Sequence, residues 1–131
     1  MTNQPKCIAF YLRSATGNLA DLRRQRKLCE REFVNKKVGF TSNKVEIYQD
    51  THQSGLRSGP DFKRLSDDVE SGKVAVVIVA RINRISRRLD GLMKFYRFVE
   101  AHHLRFVSAE ENVDSSLWPS MRQAEVAGGV R

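Results

Sequence analysis

Val74-Ala75-Val76-Val77-Ile78-Val79-Ala80 is an unbroken apolar run of seven residues, rich in β-branched side chains. Such a run reads as a buried strand, and strands buried on both faces belong to parallel sheets covered by helices. Arg81-Ile82-Asn83-Arg84-Ile85-Ser86-Arg87-Arg88 follows at once and carries four arginines. They fall at the carboxyl edge of the sheet, where open α/β folds hold their ligands. Arginine meets phosphate through a planar, permanently charged fork. The two features together predict an α/β fold with a phosphate site at a strand end, and a nucleic acid as the natural source of that phosphate.

The rest of the chain supplies the partners such a strand needs. Cys7 to Arg13 reads as a first strand and Thr16-Gly17-Asn18 as a turn. A helix is expected from Leu19 to Val34, with Leu22, Cys29 and Phe33 on one face. Asn35 to Asn43 is polar and turn-rich, and Val45-Glu46-Ile47-Tyr48 alternates as a second strand ending at Asp50. After a loop from Thr51 to Pro60, Phe62, Leu65 and Val69 mark a short helix that stops at Gly72. Leu92, Phe95, Tyr96 and Val99 give a helix ending near His102, and Leu104 to Val107 forms a fourth strand. Alternating strands and helices imply a three-layer α/β domain with a mainly parallel sheet of four or five strands.

A chain of 131 residues is one domain by length. It buries about two-thirds of its unfolded surface without a disulfide or metal staple. Hydrophobic content of 40% and charged content of 29% are those of a soluble globular protein. The longest apolar run is far too short to cross a membrane, and Met1 to Lys6 lacks a signal-peptide core. A net charge of +8 favours a polyanionic partner. Cys7 and Cys29 have no metal-ligand spacing and read as buried small hydrophobes in a reducing cytosol.

Taken in order, these motifs resemble one family. A strand ends Tyr11-x-Arg13 and runs into serine and threonine, and a helix bearing Gln25 follows. A second strand ends at Asp50 with Ser54-Gly55 soon after. A third ends Arg81-Ile-Asn-Arg84-Ile-Ser-Arg87, and Ala109-Glu110-Glu111-Asn112 follows the fourth. From residue 7 to about 115 the chain is similar to the catalytic domain of the serine recombinases, the group of resolvases, invertases and large serine integrases.

That resemblance implies a resolvase-like fold over residues 1–115, with 116–131 as a short tail or truncated dimerisation helix. It implies DNA as partner, a homodimer or tetramer when active, and strand exchange through a 5′-phosphoserine intermediate. Neither metal nor small-molecule cofactor is expected, and the setting would be the cytoplasm of a bacterium or the host of a phage or mobile element. Arg13, Arg84 and Arg87 match the family's phosphate ligands, and Gln25 its orienting helix amide. Tyr11, Asp50 and Ser54 match further active-site positions. Arg57, Arg81 and Arg88 are assigned to DNA contacts.

The chain departs from the family pattern at the nucleophile. The usual Tyr-x-Arg-x-Ser-Thr reads here Tyr11-Leu12-Arg13-Ser14-Ala15-Thr16. Strand side chains alternate, so Ser14 would face away from Tyr11, Arg13 and Ala15 unless the strand ends at Arg13 and the turn swings it round. Ser14 as a shifted nucleophile, a naturally inactive chain, and a serine at 15 replaced by alanine all remain open. Thr16 is a more hindered candidate. Asn83 stands where the family has an acid and cannot move a proton. Gly59-Pro60 stands where the family has Arg-Pro, with Arg57 as the nearest substitute. An inactive module that pairs with active subunits or binds DNA weakly is the alternative function.

Other signals have plainer readings. His52, His102 and His103 form no ligand set, and His102-His103 suits a helix C-terminus. Arg23-Arg24 and Arg26-Lys27 fit a solvated helix face. Leu92, Phe95, Tyr96 and Val99 fit a core, widened by Met93 and Phe98 towards a partner surface. Trp118, Pro119, a helix over Ser120 to Ala127 and Gly128-Gly129 make up the tail, and no helix-turn-helix or zinc knuckle is present.

Overall fold

The computed structural model describes residues 6–36, 44–51 and 59–118. The elements run β1 (Cys7–Ser14), α1 (Leu19–Asn35), β2 (Val45–Thr51), α2 (Pro60–Glu70), β3 (Val74–Val79), α3 (Leu89–Ala101), β4 (Arg105–Ser108) and β5 (Val113–Asp114). Single 3-10 turns follow β3 at Ile82–Arg84 and β5 at Ser115–Leu117. The sheet has five strands in the order β2-β1-β3-β4-β5. All neighbours are parallel except β4 and β5. The three-layer α/β fold expected from alternating strands and helices is therefore the one observed.

Alternation along β1 divides the core. Ile8, Phe10 and Leu12 pack with Val76, Ile78 and Val107 against Leu22 and Cys29 of α1. Cys7, Ala9 and Tyr11 pack with Val77, Val79 and Phe106 against α2 and α3, through Leu65, Val69, Phe95 and Val99. Phe95 and Phe106 meet edge to face at 4.9 Å between ring centres. Burial on both faces explains why β1 and β3 read as continuous apolar runs rather than as alternating ones.

The strand order has one consequence for function. The chain leaves β1 for β2 on one side, then returns to place β3 on the other side of β1. The reversal puts the carboxyl ends of β1 and β3 side by side at a topological switch point, the ordinary ligand crevice of such sheets. Arg13 ends one of these strands and the arginine segment follows the other.

At the opposite edge, β5 is a two-residue antiparallel strand reached through a turn in which Asn112 has φ of 54°. Arg105 grips Asp114 with two hydrogen bonds, Nε at 3.1 Å and Nη2 at 2.8 Å. Burial raises the Asp114 carboxyl, but Arg105 and the Ser116 donors outweigh it and hold it at about 2. The packed body runs on to Trp118, whose ring lies 5.2 Å from that of Tyr96 in an edge-on contact. The expected tail elements from Pro119 onward lie outside the described residues. Among the described residues no helix is long and apolar enough to cross a membrane.

Candidate active site

β1 continues through Ser14 rather than ending at Arg13. Ser14 therefore keeps the strand's alternation and sits on the α1 side, 3% exposed. Its Oγ accepts a hydrogen bond from the Asn18 backbone N–H at 3.0 Å and lies 3.5 Å from the Thr16 hydroxyl. Gly17, with φ of 71°, turns the chain so that Asn18 can also cap α1 by accepting from the Asp21 N–H. Ala15 and Thr16 are exposed in this turn. The hydroxyl at 14 thus closes the turn between β1 and α1, and the exposed neighbour at 15 has no hydroxyl.

Arg13 lies on the other face, buried beside Tyr11. Its Nη2 donates a short hydrogen bond to the Asn83 carbonyl, tying β1 to the turn after β3. Asn83 serves through its backbone, and its side chain is in an exposed position. Burial lowers the Arg13 pKa, and the charges of Arg84 and Arg87 push the same way against the opposing influence of Tyr11 and Asp50. Like charges that act on one another in this way favour the binding of an anion between them.

Gln25 is fully buried and clamps the backbone of Arg13. Its Oε1 accepts from the Arg13 N–H at 3.1 Å, and its Nε2 donates to the Arg13 carbonyl at 2.9 Å. The second Nε2 hydrogen goes to Asp21 Oδ2 at 2.8 Å. An amide suits this task because it is donor and acceptor at once. Gln25 therefore orients Arg13 rather than pointing into the crevice.

Asp50 has an equally definite position. Parallel register sets it beside Arg13. Its Oδ1 accepts from the Asp61 N–H at 2.9 Å, and its Oδ2 from the Phe62 N–H at 2.9 Å and the Tyr11 hydroxyl at 2.7 Å. It caps the N-terminus of α2, whose own cap residue, Gly59, has no side chain to do so. A Cβ on Gly59 would lie 2.3–2.5 Å from the Asp50 carboxyl group, so only glycine admits this approach. Burial and the Asp50 carboxylate both push the Tyr11 phenol up, which keeps it a hydrogen-bond donor. Tyr11 and Asp50 support the end of β1 and the start of α2.

The arginines after β3 divide into two groups. Arg84 is largely covered, with 17% of its side chain exposed, and reaches across the end of β1. Its Nη1 donates to the Arg13 carbonyl at 3.2 Å, and its Nη2 pairs with Asp21 Oδ2 at 3.4 Å. Its Nε is buried without a partner. Arg87 is exposed and makes no ion pair among the described residues. Arg81 instead pairs with Glu110 at 3.2 Å and Glu111 at 3.7 Å, and Arg88 with Asp90 at 3.1 Å. Glu110 also binds Arg24 at 2.7 Å. Glu111 accepts the Ile82 N–H at the start of the 3-10 turn and a short hydrogen bond from Ser108. Ser54, Arg57 and His52 lie outside the described residues.

Asp21 is the site residue that sequence reasoning missed. The signal was present: Asn18 and Asp21 have the spacing of a helix cap and first-turn acid, and Asp21 lies four residues before Gln25. Only the fold shows that Arg84 arrives at the same carboxylate. Among the described residues no cluster of three or more histidine, cysteine, aspartate or glutamate side chains could hold a metal ion.

Arg84 thus reaches across the end of β1 to Arg13 where β1 and β3 end, framed by the first turn of α1, with Arg87 exposed three residues further on. The model of the family described as Resolvase, N terminal domain, matches residues 8–123, and the chain belongs to that family. Among solved structures it is similar to the N-terminal catalytic domain of TP901-1 integrase, with a TM-score of 0.72 and 23% identity over 95% of this chain and 93% of that one. A resolvase family site-specific recombinase from Streptococcus pneumoniae matches with a TM-score of 0.66 and 20% identity, over 96% of this chain and 88% of that one. The C-terminal catalytic domain of ISC1926 TnpA, an IS607-like serine recombinase, matches at 0.62 and 16%, over 95% and 79%. At these identities the likeness is one of fold. No curated protein sequence matches the chain.

Proposed function

We propose that this chain binds a DNA phosphodiester in the Arg13–Arg84–Arg87 cradle, as the DNA-handling module of a site-specific recombinase, and that the sequence as written does not cleave it. The reach of Arg84 across the end of β1 to Arg13, at the switch point, is the observation that carries the reading. In serine recombinase chemistry a serine Oγ attacks phosphorus. The Oγ–P bond forms, the P–O3′ bond breaks, and the 3′-oxygen leaves as a hydroxyl once protonated. Religation reverses these events and conserves the bond energy. Fixed arginines stabilise the charge on the non-bridging oxygens during both.

Two observations argue against cleavage. Position 15 is alanine. The Ser14 hydroxyl lies on the opposite strand face and already accepts the Asn18 N–H. Ser14 as a shifted nucleophile is the second reading. It draws support from Ser14 being the last residue of β1, where rearrangement of the following turn would release it. A chain that grips DNA without cutting it fits a partner role beside active recombinase subunits, in the cytoplasm where the DNA is. Exposed Leu89 and Met93 on α3 leave apolar surface for such a subunit.

The test uses nicked duplexes of randomised sequence and a denaturing gel. The chain should give no covalent adduct, and Ala15→Ser should give one through its new serine. Duplex binding should weaken with salt and fall in Arg87→Ala. An adduct at Ser14 of the unaltered chain establishes the second reading instead.

A further inference from the structure

Asp21 and the Arg13 carbonyl are two acceptors that share the same two donors. Gln25 Nε2 donates to both, at 2.8 Å and 2.9 Å. Arg84 reaches both as well, with Nη2 at 3.4 Å from Asp21 Oδ2 and Nη1 at 3.2 Å from the Arg13 carbonyl. The four groups close a ring across the end of β1. The Nη1–Nη2 edge of Arg84 is thereby occupied by the protein, whereas Nε is buried and has no hydrogen-bond partner. Buried donors are almost always satisfied, so this one requires an explanation. A guanidinium presents two edges to an oxyanion, Nη1/Nη2 or Nε/Nη2, each with parallel N–H groups.

We propose that Asp21 is a positioning residue: by pairing with Nη2 of Arg84 while Nη1 is held at the Arg13 carbonyl, it fixes the guanidinium that meets the phosphodiester. Asp21 is suited to the task because it is itself fixed. Its N–H donates to Asn18 Oδ1 at 2.9 Å, and its Oδ1 lies 3.5 Å from Arg24 Nη2. The carboxylate is thereby held at the first turn of α1, with Arg24 at Oδ1 and Gln25 at Oδ2. A planar fork held from behind loses little freedom on meeting its anion, and the comparable contacts behind metal ligands change affinity by about 10–100-fold. The inference rests on the reading that Arg84 meets phosphate.

The experiment follows arginine Nε–H resonances in ¹H–¹⁵N spectra of the full chain during titration with inorganic phosphate. Arg84→Lys assigns the Arg84 signal, and the Arg105 Nε–H, already bound to Asp114, is the internal reference. In the unaltered chain the Arg84 Nε–H should shift saturably while Arg105 stays still. Asp21→Ala should weaken phosphate binding about tenfold. Asp21→Asn, which keeps an acceptor for Gln25 but removes the charge that holds Arg84, should also weaken it, and Asp21→Glu should restore part of the loss. Melting temperatures check that the variants are folded. Equal affinity in folded Asp21→Ala and Asp21→Asn overturns the positioning role and leaves the phosphate site standing. Tighter binding in those variants overturns it too, by making Asp21 a competitor for Arg84. No saturable shift in the unaltered chain overturns the phosphate reading of Arg84 and the role of Asp21 with it.

Discussion

Asp50→Asn tests whether the buried carboxylate is structural, because it changes no volume and removes one acceptor. The native carboxylate takes three donors: the Asp61 N–H, the Phe62 N–H and the Tyr11 hydroxyl. An asparagine offers one oxygen and one NH2. If its oxygen occupies the Oδ2 position, it keeps Phe62 and Tyr11 but turns its NH2 towards the Asp61 N–H. If it is flipped, the NH2 meets both Phe62 and Tyr11. Either orientation sets a donor against a donor and leaves at least one covered group unsatisfied, which costs about 1–3 kcal/mol. Loss of the negative charge at the start of α2 removes a further ~0.3–1 kcal/mol. The expected total is about 1–4 kcal/mol, a large share of a typical domain's stability. Urea unfolding is the assay, and the midpoint should fall by about 0.5–2 M at an m-value of about 2 kcal/mol/M. Tyr11→Phe removes the hydroxyl, so in the Asp50→Asn background it should cost less than it does alone. A loss below about 0.5 kcal/mol for Asp50→Asn, or strict additivity with Tyr11→Phe, refutes the reasoning.

Two further outcomes follow from the same geometry. Gly59→Ala drives a methyl group into the Asp50 carboxyl, and should lower stability by about 1–3 kcal/mol; unchanged urea unfolding would show that the close approach is not needed. The Asp114 carboxyl lies at about 2 in the folded chain against an ordinary 3.8, so its contribution is complete above about pH 4 and is lost as pH falls through 2. Asp114→Asn should therefore trail the parent by about 2 kcal/mol at pH 7, with the gap closing towards pH 2; a gap independent of pH counts against the Arg105–Asp114 pair.

Much of this protein is legible in one dimension because hydrophobic periodicity and strand length are local properties. The apolar run after Gly72, the helix face of Leu22 and Cys29, and the clustering of arginines after a strand each declare themselves within a few residues. Element ends are less visible. β1 runs one residue further than expected, to Ser14, because its pairing with β2 continues to Ser14 beside Thr51. That single residue decides which face Ser14 occupies. β5 is only two residues long and has no periodicity to read; the Arg105–Asp114 pair and the turn at Asn112 hold it in place.

The roles of the site residues separate in the same way. Residue type and order alone determined that this chain is a basic α/β domain with an arginine-rich segment at a strand end, and that position 15 carries no hydroxyl. Only the tertiary structure decided how the matching residues divide their work. Gln25, Tyr11 and Asp50 hold backbone and helix ends, Arg81 and Arg88 are paired with nearby acids, and Asp21 joins the site through Arg84. The physical reason is that hydrogen-bond partners are chosen by distance in space. Arg84 and Asp21 are far apart in the chain, and it is the crossing of β1 between them that brings their charges together.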